Sequence, residues 1–292
     1  MSRRSAFRPL LAGLLLLVAV VCLLGPIKAR ADNRNGLTDP HAGQVYVYDG
    51  FDWIWMTPIE GVPVNDIAEN DISWQGGKPS YAGDAYTALR GVDVSEHQHD
   101  IDWARVKAAG IDYAVIRLGR RGYSEGGLFE DEFFKQNMDG ALDAGLQVGV
   151  YFFSQAVTVA EALEEADLTL RLLEPYRGRV TMPVVFDWEK IYDDDSARTA
   201  GLDVGTLTDC AVAYCERVKA AGYQPGVYFN RHTGYYGFDL TRIQDYHLWF
   251  ALPEARFPNF YYATDMWQYS FEENVPGIDT PTDVNLFFIR NS

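Results

Sequence analysis

From Gly91 onward, two hydrophobic patterns alternate along the chain. Short apolar runs recur: GVDVS (91–95), YAVIRLG (113–119), QVGVYFFS (147–154), MPVVFDWE (182–189), QPGVYFN (224–230), HLWFALP (247–253), ATDMWQYS (263–270) and DVNLFF (283–288). Such runs fit strands buried on both faces. Helical periodicity follows the first four. In 158–176, Leu163, Ala166, Leu170 and Leu173 recur at steps of three and four, and Leu207, Ala211, Tyr214, Val218 and Ala221 do so in 206–222. Thr206 with Asp209 suggests a capping-box start for the second helix, and Gly222 its stop. Strands alternating with helices predict a shortened (β/α)8-type barrel over 89–292. The late connections are too short for full helices (254–262 reads EARFPNFYY), so the C-terminal half should have reduced ones. A doubly wound open sheet is the alternative. No G-x-G-x-x-G follows the first strand, which counts against nucleotide binding.

The first 88 residues read differently. Arg3, Arg4 and Arg8 precede an apolar run from Leu10 to Leu24, and Ala29-Arg30-Ala31 follows. That is the layout of a secretory signal over 1–31, with an uncleaved anchor as the alternative. The run is short for a membrane span. Residues 32–44 read as a linker. Residues 45–65 alternate Val/Tyr and Trp/Ile around Asp49-Gly50, which predicts a small β-hairpin, read as a strap over the barrel rather than an accessory binding element. Residues 68–88, with Gly76-Gly77, Pro79 and Gly83, look irregular.

The chemistry concentrates where the strands end. In VVFDWEK (184–190), Asp187 and Glu189 share one side of a strand and Trp188 takes the other. The two carboxylates would stand roughly 6–7 Å apart at the backbone. A solvated strand end is the bland reading. The other strand ends weaken it. Strand one ends in Asp93, strand five gives Tyr228 and Asn230, strand six Trp249, strand seven Trp267 and Gln268, and strand eight opens with Asp283. Closing the barrel makes Asp93 and Asp283 neighbours, with strand four across the mouth. Crowded carboxylates raise one another's pKa, and a protonated acid beside a second carboxyl is what glycoside hydrolysis requires. Aromatic faces nearby can stack on sugar rings.

Charge narrows the partners. The formal net charge is −16, and removing 1–31 takes away five Lys/Arg and no acid, leaving −21. Such a surface argues against nucleic acid and is repelled at long range by anionic membranes or wall polymers, so a neutral substrate or short-range contacts are expected. Cys210 and Cys215 are five apart on a predicted helix, which does not bring them face to face, so two buried thiols are expected.

Taken in order, GVDVSEHQ with IDWARVKAAGIDYAVIRLG (91–119), VGVYFFS (148–154), VVFDWE (184–189), GVYFN (226–230), LWFA (248–251), MWQYS (266–270) and DVNLF (283–287) resemble the family-25 glycoside hydrolases, the N-acetylmuramidase-type lysozymes. The resemblance covers some 200 residues, from about 91 to the C-terminus. It implies cleavage of the β-1,4 bond between N-acetylmuramic acid and N-acetylglucosamine in peptidoglycan. By position it makes Asp93, Asp187, Glu189 and Asp283 the catalytic acids, with Glu189 the general acid. The second role is open between attack by the substrate's acetamido oxygen, helped by Asp187 or Asp283, and direct attack by water. Tyr151, Tyr228, Asn230, Trp249, Trp267 and Gln268 are the expected substrate contacts. Many members carry Tyr-His-Phe at the end of strand three, where this chain has Tyr151-Phe152-Phe153.

No cofactor and no metal is expected. The chain is read as a monomer, secreted or wall-associated, acting on glycan strands, without stable membrane association once the leader is removed. Three rivals stand beside this reading. A non-catalytic wall-binding protein would be expected to lose one of the four acids. A metal-dependent polysaccharide deacetylase would draw on Asp93, His97 and His99. A chitinase-like enzyme would show a longer acidic run before Glu189.

Overall fold

A computed structural model of the chain describes residues 40–191, 197–253 and 255–292. The expected leader, with its Cys22, lies outside the described residues. Every element below belongs to one unit, Gly43–Ser292.

Two small hairpins come first. Strands β1 (Val45–Tyr48) and β2 (Trp53–Met56) pair antiparallel. Asp49 shapes their turn, its Oδ1 accepting from the backbone N–H of Phe51 and Asp52 at 2.8 Å each. Residues 68–88 are not irregular as expected. They hold a second hairpin, β3 (Ile72–Gln75) with β4 (Lys78–Tyr81), and the start of a barrel strand. Its turn is Gly76-Gly77, both at positive φ (+59° and +80°), the backbone a two-residue hairpin loop requires.

The barrel follows. Its eight strands are β5 (Tyr86–Val94), β6 (Tyr113–Arg121), β8 (Gln147–Ser154), β9 (Val184–Trp188), β10 (Pro225–Asn230), β11 (His247–Ala251), β12 (Met266–Glu273) and β13 (Thr282–Arg290). The short β7 (Leu128–Glu130) adds antiparallel to β6 outside the ring. Pairing of β5 with both β6 and β13 closes the sheet. The strands from β5 to β12 run parallel around the ring, whereas β13 is antiparallel to both its neighbours.

Helices α1 (Trp103–Ala108), α2 (Phe134–Asp143), α3 (Val159–Leu173) and α4 (Val204–Ala220) follow the first four barrel strands. After β10 come only α5 (Arg231–Tyr236) and α6 (Leu240–Ile243), and among the described residues no helix follows β11 or β12. The start of α4 differs from the expectation. Asp203, not Thr206, is the cap, its Oδ1 accepting from the Thr206 N–H at 3.0 Å. Gly222 does stop the segment, at φ +92°. Cys210 and Cys215 are buried free thiols. Among the described residues no helix is long and apolar enough to cross a membrane.

Alternation sorts side chains into two layers. Val184, Phe186 and Trp188 face outward to the helices, in the main core. Val185 faces inward with Tyr113, Val115, Met182, Tyr228, Trp249, Met266 and Phe287, which fill the barrel interior. The interior is therefore a packed floor, not a pore. Gly91 belongs to that packing: a Cβ there would lie 2.3 Å from the Tyr113 ring. The acids stand above this floor.

Candidate active site

The C-terminal ends of the parallel strands open on a cleft of about 210 Å³. Asp93, Asp187, Glu189 and Asp283 all line it, with Tyr151, Tyr228, Trp249 and Gln268. Asp187 follows Val185 by two residues and faces inward; Glu189 follows by two more. Trp188 between them points into the outer core. Asp283 reaches the same mouth by a different route. Because β13 runs antiparallel, its first residues lie at the top, and Asp283 sits directly opposite Asp93.

A hydrogen-bond chain fixes Asp93. The Tyr228 hydroxyl donates to Gln268 Oε1 at 2.9 Å, and Gln268 Nε2 donates to Asp93 Oδ2 at 2.9 Å and to Asp283 Oδ2 at 3.3 Å. From the other side, Trp249 Nε1 donates to Asn285 Oδ1 at 2.8 Å, and Asn285 Nδ2 donates to Asp93 Oδ2 at 2.7 Å. An indole N–H can only donate, so it forces the Asn285 oxygen toward Trp249 and the amide N–H toward Asp93. Asp283 is hydrogen-bonded to Asp93 as well.

The opposite wall is bare by comparison. Asp187 is 4% exposed, and its Oδ1 is buried without a hydrogen-bond partner. Arg117 is the one arginine or lysine lining the cleft among the described residues; it is ion-paired with Asp131 and Glu96, though its charge still lowers Asp187. Its Nε meets Asp131 at 2.8 Å and its Nη2 meets Glu96 at 2.9 Å.

Burial lifts all four acids, and among the described residues Arg117 is the one cation that opposes it, at Asp187. Burial raises Asp93 to about 6, held there against three hydrogen bonds that favour its anion. Burial, then the charges of Asp93 and Glu189, push Asp283 up to about 9. Asp187 is raised well above the ordinary range by burial, Glu189 and Asp93. Glu189 is raised by burial and then by Asp93. Negative charge therefore settles on Asp93, where the donors point, and the other three lean toward their protonated forms.

Two expected contacts lie outside the cleft. Trp267 faces the outer layer, fully buried, with its Nε1 donating to the Leu252 carbonyl at 3.0 Å. It neighbours the inward-facing Gln268, and adjacent strand residues cannot share a face. Asn230 caps α5, its Oδ1 accepting from the Thr233 N–H at 3.0 Å. Phe152, at the position of the missing histidine, is also fully buried in the outer core, so that departure does not touch the cleft.

Several lining residues were not singled out from the sequence as substrate contacts: Ser95, His97, Gln98, Arg117 and Phe153. Phase with Tyr151 would have found Phe153. Asn285 lies in the DVNLFF run, and nothing in its spacing marks it as the partner of Asp93. His97 lines the cleft, while His99 packs against Phe133 with ring centroids 6.1 Å apart. Among the described residues no three His, Cys, Asp or Glu side chains form a group that could hold a metal.

The comparisons with known proteins converge. Lysozyme M1 of Streptomyces globisporus is 25% identical over 208 residues, covering 69% of this chain and 68% of that protein. The modular autolysin LytC from Streptococcus pneumoniae, solved in complex with a synthetic peptidoglycan ligand, is 25% identical with a TM-score of 0.63. The match covers 75% of this chain and 52% of that one, so this chain spans about half the length of that autolysin. A bacterial lysozyme from Streptomyces coelicolor is 25% identical with a TM-score of 0.56, covering 69% of this chain and 92% of that one. The profile of the glycosyl hydrolases family 25 matches residues 92–278, which reach from the strand that carries Asp93 almost to Asp283, and this chain belongs to that family.

Proposed function

We propose that this chain is an exported peptidoglycan hydrolase that cleaves the β-1,4 bond between N-acetylmuramic acid and N-acetylglucosamine. One observation carries the reading: four carboxyls surround one cleft in which, among the described residues, the single cation, Arg117, is paired with Asp131 and Glu96. The related lysozymes and the autolysin bound to a peptidoglycan ligand support the substrate class.

In this mechanism Glu189 donates its proton to the glycosidic oxygen as the bond from C1 to that oxygen breaks. The carbonyl oxygen of the substrate's own 2-acetamido group attacks C1 and forms a cyclic oxazolinium. Asp187 holds that group, its unpartnered Oδ1 accepting the acetamido N–H. That hydrogen bond favours the Asp187 anion, which stabilises the positive ring. The deprotonated Glu189 then takes a proton from a water that attacks C1 and reopens the ring. Two displacements at C1 retain its configuration. Asp93, held by Gln268, Asn285 and Asp283, supplies the fixed negative charge of the opposite wall. Tyr151, Tyr228 and Trp249 bound the sugar site.

A non-catalytic wall-binding protein fits less well, because all four acids are present and gathered. The test is turbidity loss of purified bacterial walls with and without EDTA. The expected result is clearing that is insensitive to EDTA and falls about 10²–10⁴-fold in Glu189→Gln. Equal clearing by both proteins rejects the acid assignment. New reducing ends on muramic acid separate a muramidase from a glucosaminidase. NMR of the first-formed anomer should show the β form; an initial α anomer rejects the acetamido route.

A further inference from the structure

The hairpin β1–β2 has an unusual solvent face. Tyr46 and Trp55 are cross-strand partners, as are Tyr48 and Trp53. All four point outward, at 36–58% exposure, while Val45, Val47, Ile54 and Met56 take the half-buried side. Ring centroids lie 4.9 Å apart for Tyr46 and Trp55, 5.3 Å for Tyr46 and Trp53, and 5.7 Å for Tyr48 and Trp53. The outer face of a two-stranded ribbon is ordinarily polar, and a continuous aromatic surface marks a contact. Cross-strand aromatic pairs also stabilise a hairpin by themselves, which is the competing explanation.

The place of the hairpin selects the ligand. It is seated on α5, the short helix directly after β10. Arg231 Nη1 donates to the Tyr48 carbonyl at 3.0 Å, the Tyr236 hydroxyl donates to Asp49 Oδ2 at 2.8 Å, and Phe51 stacks edge-on with His232 at 5.0 Å. Only Asn230 separates α5 from β10's Phe229 and Tyr228, and Tyr228 lines the cleft. The hairpin is thus anchored at the barrel end where β10 finishes, the end on which the cleft opens. The cleft's volume of about 210 Å³ equals about seven waters at ~30 Å³ each, too little for more than a sugar or two, so a polymer must cross the rim.

We propose that Tyr46, Tyr48, Trp53 and Trp55 form a stacking platform for the distal sugars of the same glycan strand. The proposal rests on the glycan reading of the cleft. It lies outside the part of the chain that the family profile covers, residues 92–278. Flat rings match the apolar C–H faces of neutral amino sugars, and the net charge of −16 opposes an anionic lipid surface. A second copy is disfavoured by area. Four half-exposed aromatic side chains of 150–250 Å² offer on the order of 400 Å², against the ~800 Å² per partner of a stable interface.

The test uses the full chain carrying Glu189→Gln and labelled with 5-fluorotryptophan. The Trp53 and Trp55 signals are assigned by their loss in Trp53→Phe and Trp55→Phe. Titration with a soluble β-1,4-linked N-acetylglucosamine hexamer should shift both signals. Retention on purified peptidoglycan should fall about tenfold in the Trp53→Thr/Trp55→Thr double variant, a loss of about 1.4 kcal/mol. The fluorine shift is read on the intact hairpin, so it stands even where the double variant loosens it. Unmoved Trp53 and Trp55 signals with unchanged retention overturn the platform and leave the rings a purely structural pair. Shifts with phosphatidylcholine vesicles but not the hexamer overturn it for a membrane contact. A dimer in sedimentation velocity that the double variant abolishes, without any glycan response, overturns it for self-association. Walls cleared equally by wild type and Glu189→Gln, with the Trp shifts intact, sink the cleft assignment and leave the platform standing.

Discussion

Two clusters of buried acids in the barrel are treated differently. Behind the cleft, Arg121 bridges the end of β6 to α3, its Nε 2.7 Å from Glu165 Oε1 and its Nη2 3.0 Å from Glu164 Oε2. Arg198 joins the same cluster through Glu161. There the cations hold Glu161 below the ordinary carboxylate range, although burial lifts the deepest acid, Glu165, to about 7. In the cleft, burial is similar, but among the described residues the one lining arginine is paired with Asp131 and Glu96. Asp283 climbs to about 9 and Asp187 well above its usual range. Burial alone raises an acid in either place. Paired Glu165 rises as far as Asp93 does, so the counter-charges show their effect in the less buried acids: Glu161 is held low beside Arg198, whereas Asp283 is lifted to about 9.

Changes in each cluster should have opposite signatures. The largest effect is expected at Glu189. Glu189→Gln should lower wall clearing by up to about 10⁴-fold while leaving the melting temperature unchanged or raised. A variant that loses activity only in proportion to lost folded protein would erase the contrast. Next comes Arg121→Met, which strips the cation from a fully buried Glu165. It should cost toward the lower end of ~3–5 kcal/mol, because Glu165 can take up a proton. The loss in chemical denaturation should be larger at about pH 9 than at about pH 6, with activity per folded molecule kept.

A smaller effect of opposite sign is expected at Asp283. Its carboxyl is raised in the fold, so the folded state holds a proton that the unfolded chain gives up above about pH 4. Wild-type stability from this group is therefore complete below about pH 4 and declines as pH rises to about 9. Asp283→Asn removes that decline. Its advantage in melting temperature should be near zero at low pH and grow toward about pH 9, with clearing reduced; parallel melting curves at all pH values would contradict this. The mildest effect is on the pH profile of clearing. Activity should fall as pH drops through about 6, where Asp93 loses its anion. A flat profile down to about pH 4 would remove Asp93 from the charge balance.

Much of this was legible in the chain. Eight apolar runs gave the strand count, the spacing of Asp187 and Glu189 gave their shared face, and four acids at strand ends gave the cleft. Periodicity carries no strand direction, however. Asp283 opens its strand, and in an all-parallel barrel it would lie at the wrong end. Only the antiparallel turn of β13 brings it opposite Asp93. The roles of Asn285 and Gln268 depend on which way each amide is turned, which Trp249 and Tyr228 decide across the barrel. Two further placements follow from the residues alone. Trp267 and Gln268 are adjacent and could not both face the cleft, and Gly76-Gly77 was a hairpin signal. Asn230 has the parity of Tyr228 but is taken by the local demand of a helix start.

The most direct test of the central claim is the protonation of Glu189 itself. Carboxyl carbon NMR of the full chain labelled at glutamate, compared with Glu189→Gln across a pH titration, isolates its signal. The account expects the signal lost in the variant to titrate above the ordinary glutamate range, as a donor held among uncompensated acids must. A Glu189 carboxyl that titrates at about 4.3, like an exposed one, would contradict it.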